Sequence, residues 1–303
     1  MRATAAPRLK TVKRGSLRNP YVPYLFIAPV IILLLVFNVY PLGMSFVMSL
    51  YDADITFSTN AFIGLNNFSE VFSDSRFYNS LMVTIKWTII EVPAQLLVAL
   101  GLAGLLTRNT RINKVFRAIY FMPIICSATA TGIMWKLILH SNVGYVTYLV
   151  RLLGMGKVNF MNAAGITFYV IVFMSVWKTF GISTTILIGA MQNVSQSLYE
   201  AADIDGCSRF KQFFYITLPG IKPTLWFLIM TRIIGSFQVF DIVYTTTGGG
   251  PSLSTETLVT YIYTRGFEVF RMGYASALSV VLLGIILLVT VVMYSVMLRG
   301  EKD

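Results

Sequence analysis

Six stretches of this chain are apolar for long enough to cross a bilayer. They run approximately Tyr24–Leu50, Leu81–Leu106, Phe116–Leu139, Ile166–Gly189, Leu218–Thr245 and Tyr274–Leu298. A helix needs about 20 residues to cross the hydrocarbon layer. Inside that layer every backbone N–H and C=O must find a partner within the protein, and a helix alone achieves this segment by segment. The expected fold is therefore an all-α integral membrane protein with six transmembrane helices. A further apolar stretch, Val143–Leu153, is too short to span and is expected as a short outer helix or a re-entrant piece. Composition agrees: 12% of residues are charged and 56% are hydrophobic, whereas a soluble domain is about 25% charged.

Charge sets the expected orientation. Arg2, Arg8, Lys10, Lys13, Arg14 and Arg18 precede the first span, and Arg108, Arg111, Lys114 and Arg117 lie at the turn between the second and third. The turn between the first two is acidic, with Asp52, Asp54, Glu70 and Asp74 against Arg76. Basic residues stay on the cytoplasmic side. Residues 1–20 read as a basic cytoplasmic tail and 21–303 as a single transmembrane domain. Both termini are expected in the cytoplasm, a placement that Arg299 and Lys302 fit. The net charge of +11 does not indicate nucleic acid, because the cations flank apolar segments where they meet anionic headgroups. Cys126 and Cys207 show no disulfide or metal-ligand spacing, and His140 stands alone. No metal site and no catalytic cluster is expected.

The loop between spans four and five, Met191–Thr217, falls on the cytoplasmic side. Within it Ser197 and Glu200 are spaced as a capping box that would start a helix. Ala201 and Ala202 favour helix and leave a flat surface. Gly206 can adopt the left-handed conformation that stops it. Ser208 can cap a second helix running to Pro219 at the mouth of span five. A short helix, a tight turn and a second helix fused to a transmembrane one would make a rigid lever with a knob at its end.

Glu-Ala-Ala, a Gly four residues on, then Ile-x-Leu-Pro resembles the "EAA" loop of permease subunits of binding-protein-dependent ABC importers. The match rests on Glu200, Ala201, Ala202, Gly206, Ile216, Leu218 and Pro219, with Cys207 where the family commonly has Ala. The resemblance implies a six-transmembrane-helix ABC importer permease fold with a cytoplasmic coupling helix that docks on an ATPase subunit. The residues it assigns to that contact are Glu200, Ala201, Ala202, Asp205, Gly206, Leu218 and Pro219. Thr247-Gly248-Gly249-Gly250-Pro251, Thr257-Leu258, Tyr261-Ile262-Tyr263, Phe121-Met122-Pro123 and Trp177-Lys178 are similar to the carbohydrate branch, of maltose and glycerol-phosphate type. The Gly-rich stretch lacks the Lys-Ser/Thr end of a phosphate loop. ATP and Mg would thus be bound by a separate ATPase, with no cofactor in this chain. The implied partners are ABC ATPase subunits, a second homologous permease subunit, an extracytoplasmic solute-binding protein, a carbohydrate and the lipid bilayer, with the chain in a bacterial or archaeal inner membrane.

Charged residues at membrane depth face protein or a water-filled cavity. Lys86, Glu91, Lys136, Lys178, Arg232 and Asp241 are the candidates, Lys86 and Lys136 as snorkelling cations near a boundary. Glu91, close to Pro93 and Gln95, could bond between helices or accompany a kink. The resemblance places substrate contacts mid-way along spans four and five: Ser175, Lys178, Thr179 and Ile182, then Gly235, Ser236 and Val239. Helical spacing would put Arg232, Ser236, Val239 and Phe240 on one face. Hydroxyl, cationic and aromatic groups together suit an oligosaccharide. Lys178 and Arg232 leave open an anionic solute, a uronate oligosaccharide or glycerol phosphate, or structural ion pairing. A transporter driven by an ion gradient would need paired intramembrane carboxylates, for which only Glu91 and Asp241 are available.

Overall fold

The computed structural model describes residues 21–54, 56, 60–107, 110–154, 156 and 158–300. The basic tail, Arg108 and Lys302 lie outside the described residues. The chain divides into two units, residues 1–47 and 48–303.

The first unit is one apolar rod. Helix α1 (Val22–Leu34) passes through a wider π-helical turn, Leu35–Val39, into α2 (Tyr40–Met48). Pro29 sits within α1, where it has no N–H to give to the ladder. None of the described side chains of this rod is buried, and its apolar character runs all the way round, as lipid-facing helices require.

The second unit opens with an element the all-α expectation did not contain. Strands β1 (Tyr51–Ala53) and β2 (Asn60–Phe62) pair antiparallel, Tyr51 opposite Phe62 and Ala53 opposite Asn60. Three residues per strand are too few to leave a readable alternation in the sequence. The short α3 (Asn66–Ser73) follows, and Asp74 then caps α4 (Ser75–Leu106) by accepting the Arg76 N–H at 2.9 Å.

Helix α4 is the spine of the unit. Near its start Phe77 packs with Phe237, Tyr261, Tyr274 and Leu278. In its middle Val83 and Trp87 meet Phe168, Ile171 and Met174. Towards its end Val92, Leu96, Ala99 and Ala103 meet Leu187, Ile188, Met191 and Leu228. Ala99 and Ala103 are fully buried, and small residues at such a seam let two backbones approach closely. The partner along most of α4 is α8 (Ala164–Gln192).

Between them, the third apolar stretch is not one straight span. It forms α5 (Arg111–Ile125) and α6 (Ala128–Ile138), bent by 99° at Cys126–Ser127. Pro123 removes one N–H from the end of α5, and Ser127 starts α6 afresh by accepting the Ala130 N–H at 3.1 Å. Gly181 of α8 passes the end of α5 so closely that a Cβ there would lie 2.7 Å from the Tyr120 carbonyl oxygen. The stretch Val143–Leu153 is the short helix α7 (Tyr145–Leu152).

After α8 come α9 (Gln196–Ile204), α10 (Arg209–Gln212), a π-helical turn over Phe213–Thr217, and α11 (Leu218–Gly220). The chain then bends by 70° into α12 (Lys222–Phe237). The fifth stretch is therefore jointed at Ile221 and broken again after Phe237, before α13 (Asp241–Thr246). A Gly-rich turn leads to α14 (Leu258–Tyr263), a π-helical turn over Thr264–Glu268, and α15 (Met272–Gly300). Among the described residues, four helices are long and apolar enough to cross a membrane, or up to six if each bent pair counts as one span.

Candidate functional site

Two places hold the residues singled out by sequence: a knob between α8 and α12, and a cavity where α12 breaks.

At the knob the helix begins one step earlier than the capping-box spacing suggests. Ser195 is the N-cap of α9, with no side-chain cap bond, and its hydroxyl pairs with that of Ser197 at 2.8 Å. The expected Ser197–Glu200 box is not made, because Ser197 already lies within the helix. Gly206 does stop α9, at φ +71°, and the Cys207 N–H reaches back to the Ala202 carbonyl at 2.8 Å. Ser208 caps α10, accepting the Lys211 N–H at 3.5 Å. Glu200, Ala201, Asp205, Gly206 and Pro219 are exposed, while Ala202 and Leu218 are half-buried. Leu198 and Ile204 are exposed apolar side chains on α9, Ile204 at 87%.

The second half of the knob differs from the expected rigid lever. α10 has only one turn, and the joint at Ile221 separates it from the span. Stiffness comes instead from cross-bonds that spacing alone did not suggest. The buried Gln212 amide donates to Asp203 at 2.6 Å and to the Cys207 carbonyl at 3.0 Å. The Tyr199 and Thr217 hydroxyls pair at 2.8 Å. These contacts lock α9 onto the segment that leads into α12.

The cavity, of about 260 Å³, brings together Ser175, Lys178 and Thr179 from α8 with Arg232 and Ser236 from α12. Val239 and Phe240 line it too, but not as the continuation of one helical face. α12 ends at Phe237, and Phe240 has φ −137° and ψ −63°. Gly235 lines the cavity as well, whereas Ile182 does not. The break turns the following helix, and Asp241 also lines the cavity. Broken helices are tolerated at membrane depth only where they meet protein or water.

Glu91, left open between two roles by sequence, sits in this cavity wall, 5% exposed, and accepts from the Ser175 hydroxyl at 3.5 Å. It interacts with the Arg232 guanidinium, which forms no hydrogen bond among the described residues. One turn on, the fully buried Gln95 donates to Thr179 at 3.2 Å. Lys178 is occupied: its ammonium donates to the Cys126 carbonyl at 2.7 Å. Lys86 lies over the Phe168 ring at 4.6 Å, and Lys136 is exposed in the last turn of α6.

Residues 95–299 match the family of binding-protein-dependent transport system inner membrane components. The chain belongs to that family.

Relatives agree across nearly the full length. The sulfoquinovosyl glycerol transport system permease protein of Agrobacterium fabrum is 34% identical, over 88% of this chain and 87% of its own. The trehalose/maltose transport system permease protein of Thermococcus litoralis is 33% identical, over 91% and 93%. The fold is that of a chain in the crystal structure of a bacterial ABC transporter involved in import of the acidic polysaccharide alginate. The TM-score is 0.82 at 21% identity, covering 93% of this chain and 96% of that one. This permease is thus a multi-pass inner-membrane transport component of an ABC importer, a conduit and not a catalyst.

Trp87 and Gln238 also line the permease's cavity. Neither was legible beforehand. Trp87 reads as an ordinary apolar spacing residue, and Gln238 acquires its place only through the break after Phe237.

Proposed function

We propose that this permease conducts an oligosaccharide through the cavity at the α12 break, driven by an ATPase that grips the α9 knob. The observation that carries the reading is the composition of the cavity. Hydroxyls of Ser175, Thr179 and Ser236, the guanidinium of Arg232 and the ring of Phe240 converge there. A sugar needs donors and acceptors for its hydroxyls and a flat apolar surface for its C–H face. The relatives' names point to carbohydrate, to trehalose and maltose in one case and to a sugar glycoside, sulfoquinovosyl glycerol, in the other.

An anionic solute is favoured by the cations Lys178 and Arg232. Their surroundings weigh against it. Lys178 ties one N–H to a backbone carbonyl, and the carboxylates of Glu91 and Asp241 share the cavity wall with the two cations. A charge-balanced cavity suits a neutral glycan. An ion-gradient mechanism finds no support in the family to which the chain belongs.

On this reading both termini and the α9 knob are cytoplasmic. A solute-binding protein delivers the sugar from outside, and a second homologous permease subunit completes the pathway. ATP and Mg bind to the ATPase subunits. Glu200, Ala201, Ala202, Asp205 and Gly206 form the docking surface, with Ile204 at its tip. Leu218 and Pro219 pass its movement to the joint at Ile221. An 87%-exposed isoleucine at a helix end is the kind of anchor that a partner's cleft removes from water.

The test is cross-linking in the assembled transporter. Cysteine at Ala201 or Ala202 should join to the ATPase subunit, and ATP should change the yield. Labelling of those cysteines from outside intact cells, with no link to the ATPase, would sink the assignment.

A further inference from the structure

Glu91 lies midway along α4 (Ser75–Leu106), at a depth where a buried charge is costly. It lines the cavity and is 5% exposed. An ionised carboxylate has two oxygens with about four places for a donor. The chain fills one of them, with the Ser175 hydroxyl at 3.5 Å, the outer limit of a hydrogen bond.

Arg232 lines the same cavity with the opposite surplus. A guanidinium carries five N–H donors, and none of those on Arg232 makes a hydrogen bond among the described residues. Nor are the two groups an ion pair. The ion pairs among the described residues are Arg76–Glu256, Arg209–Asp203, Arg265–Asp74 and Arg271–Glu70. A carboxylate placed only to pin an arginine would touch it. This one acts on Arg232 by charge alone. Burying a charge without hydrogen bonds is unfavourable, so the remaining partners of Glu91 come from what the cavity holds. The other charges there are provided for. Lys178 has the Cys126 carbonyl, and Asp241 is exposed at the start of α13, where water satisfies it.

Resting on the carbohydrate reading above, we propose that Glu91 is a specificity-determining residue of the permease, and that it and Arg232 recognise two neighbouring hydroxyls of a neutral sugar ring. One hydroxyl donates to the carboxylate. The next accepts from the guanidinium. Both bonds are charge-assisted and stronger for it. The negative charge also works against a uronate, whose own carboxylate would share a cavity of about 260 Å³ with Glu91. A site built to bond a hydroxyl rejects the analogue that lacks it, because its buried groups are then left unpaired.

The experiment uses the complete transporter with its binding protein and ATPase in proteoliposomes. The probes are labelled neutral oligosaccharides, their monodeoxy analogues and uronate counterparts of the same length. Each is compared at saturating loaded binding protein, so that only steps after delivery are read. In the wild type, removing either of two adjacent hydroxyls should slow ATP-dependent uptake about tenfold, and removing any other less than about twofold. Glu91→Met keeps bulk and removes the acceptor. It should carry the parent sugar slowly, lose the penalty for one of those two analogues, and narrow the preference for neutral over uronate sugars about tenfold. Equal penalties in Glu91→Met and wild type overturn the proposal. So does a variant of lowered thermal stability whose sugar preferences are unchanged, which makes Glu91 a packing residue. Should Glu91→Met fail to assemble, Glu91→Asp decides: its shorter reach should shrink the same penalty, and an undiminished one overturns the assignment. If the wild-type transporter moves no sugar of either series, the carbohydrate reading falls and takes this pair with it. Sugar uptake in which Glu91 singles out no hydroxyl removes the pair alone.

Discussion

The ammonium of Lys178, on α8, donates to the carbonyl of Cys126, the residue at which the α5–α6 pair turns by 99°. A sharp bend leaves carbonyls of the preceding turn without their usual N–H partners. Here a cation from the neighbouring helix supplies one. The same lysine borders the cavity, so the bend and the conduit share a residue.

Replacing Lys178 by Met should therefore loosen the bend as well as the cavity wall. A charge-assisted hydrogen bond of this kind is worth about 1.5–3 kcal/mol. The expected result is a lower thermal midpoint of the purified complex and faster thiol labelling of the already exposed Cys126. Arg at the same position should restore part of both. A Met variant with unchanged stability and labelling, but altered sugar affinity, would make Lys178 a substrate contact only.

The Gly-rich turn is held to the start of α4 by Arg76 and Glu256. The guanidinium donates through Nε at 3.0 Å and Nη2 at 2.6 Å to the two carboxylate oxygens, and Ser80 donates to the same group at 3.1 Å. Glu256 is 1% exposed. Removing one partner strands the other, at a cost of about 2–4 kcal/mol for a pair whose arginine is partly solvated. Arg76→Lys should retain only part of the stability, because lysine cannot make the two-point contact. Limited proteolysis within 247–257 is the readout. Resistance equal to wild type in Glu256→Ala would argue that the turn is held elsewhere.

Two carboxylates beside this turn give the same end of the bundle a pH dependence. Glu70 is bonded by Arg271 at 2.5 and 2.6 Å, and that contact holds its carboxyl below the usual range. Burial opposes the charge on Asp74, but hydrogen bonds from Tyr261, Tyr274 and the Arg76 backbone N–H outweigh it and also hold the group down. A depressed carboxylate contributes stability that is fully present above its unfolded value of about 4 and is lost as pH falls through its folded value. The thermal midpoint should be flat from neutral pH to about 5 and fall below about 4. Glu70→Gln with Asp74→Asn should flatten that fall. An unchanged acid limb in the double variant would assign it to other groups.

Much of the transmembrane plan was legible in the sequence. Stretches two, four and six appear as the long helices α4, α8 and α15 because uninterrupted apolar residues at membrane depth leave a helix as the only way to pair the backbone. Gly206 was legible for a local reason too, since a left-handed stop requires little beyond its own φ. The breaks were not. Pro123 stood only in a family-like triplet, and the 99° turn depends on Ser127 and on Lys178 arriving from another helix. The pause after Phe237 has no proline to announce it, so Val239 and Phe240 were placed on a helical face that ends before them.

What the sequence by itself determined is where chain and lipid can coexist, together with the Glu-Ala-Ala stretch on which its resemblance to a family rests. Both are short-range properties, set by residue type over one segment. Only the tertiary structure decided which polar groups come together: Glu91 within the field of Arg232, Gln212 on Asp203, and Lys178 on the Cys126 carbonyl. Those meetings join α4 to α12, α9 to α10 and α8 to the α5–α6 bend, and they follow from how broken helices pack, a relation that no single segment encodes.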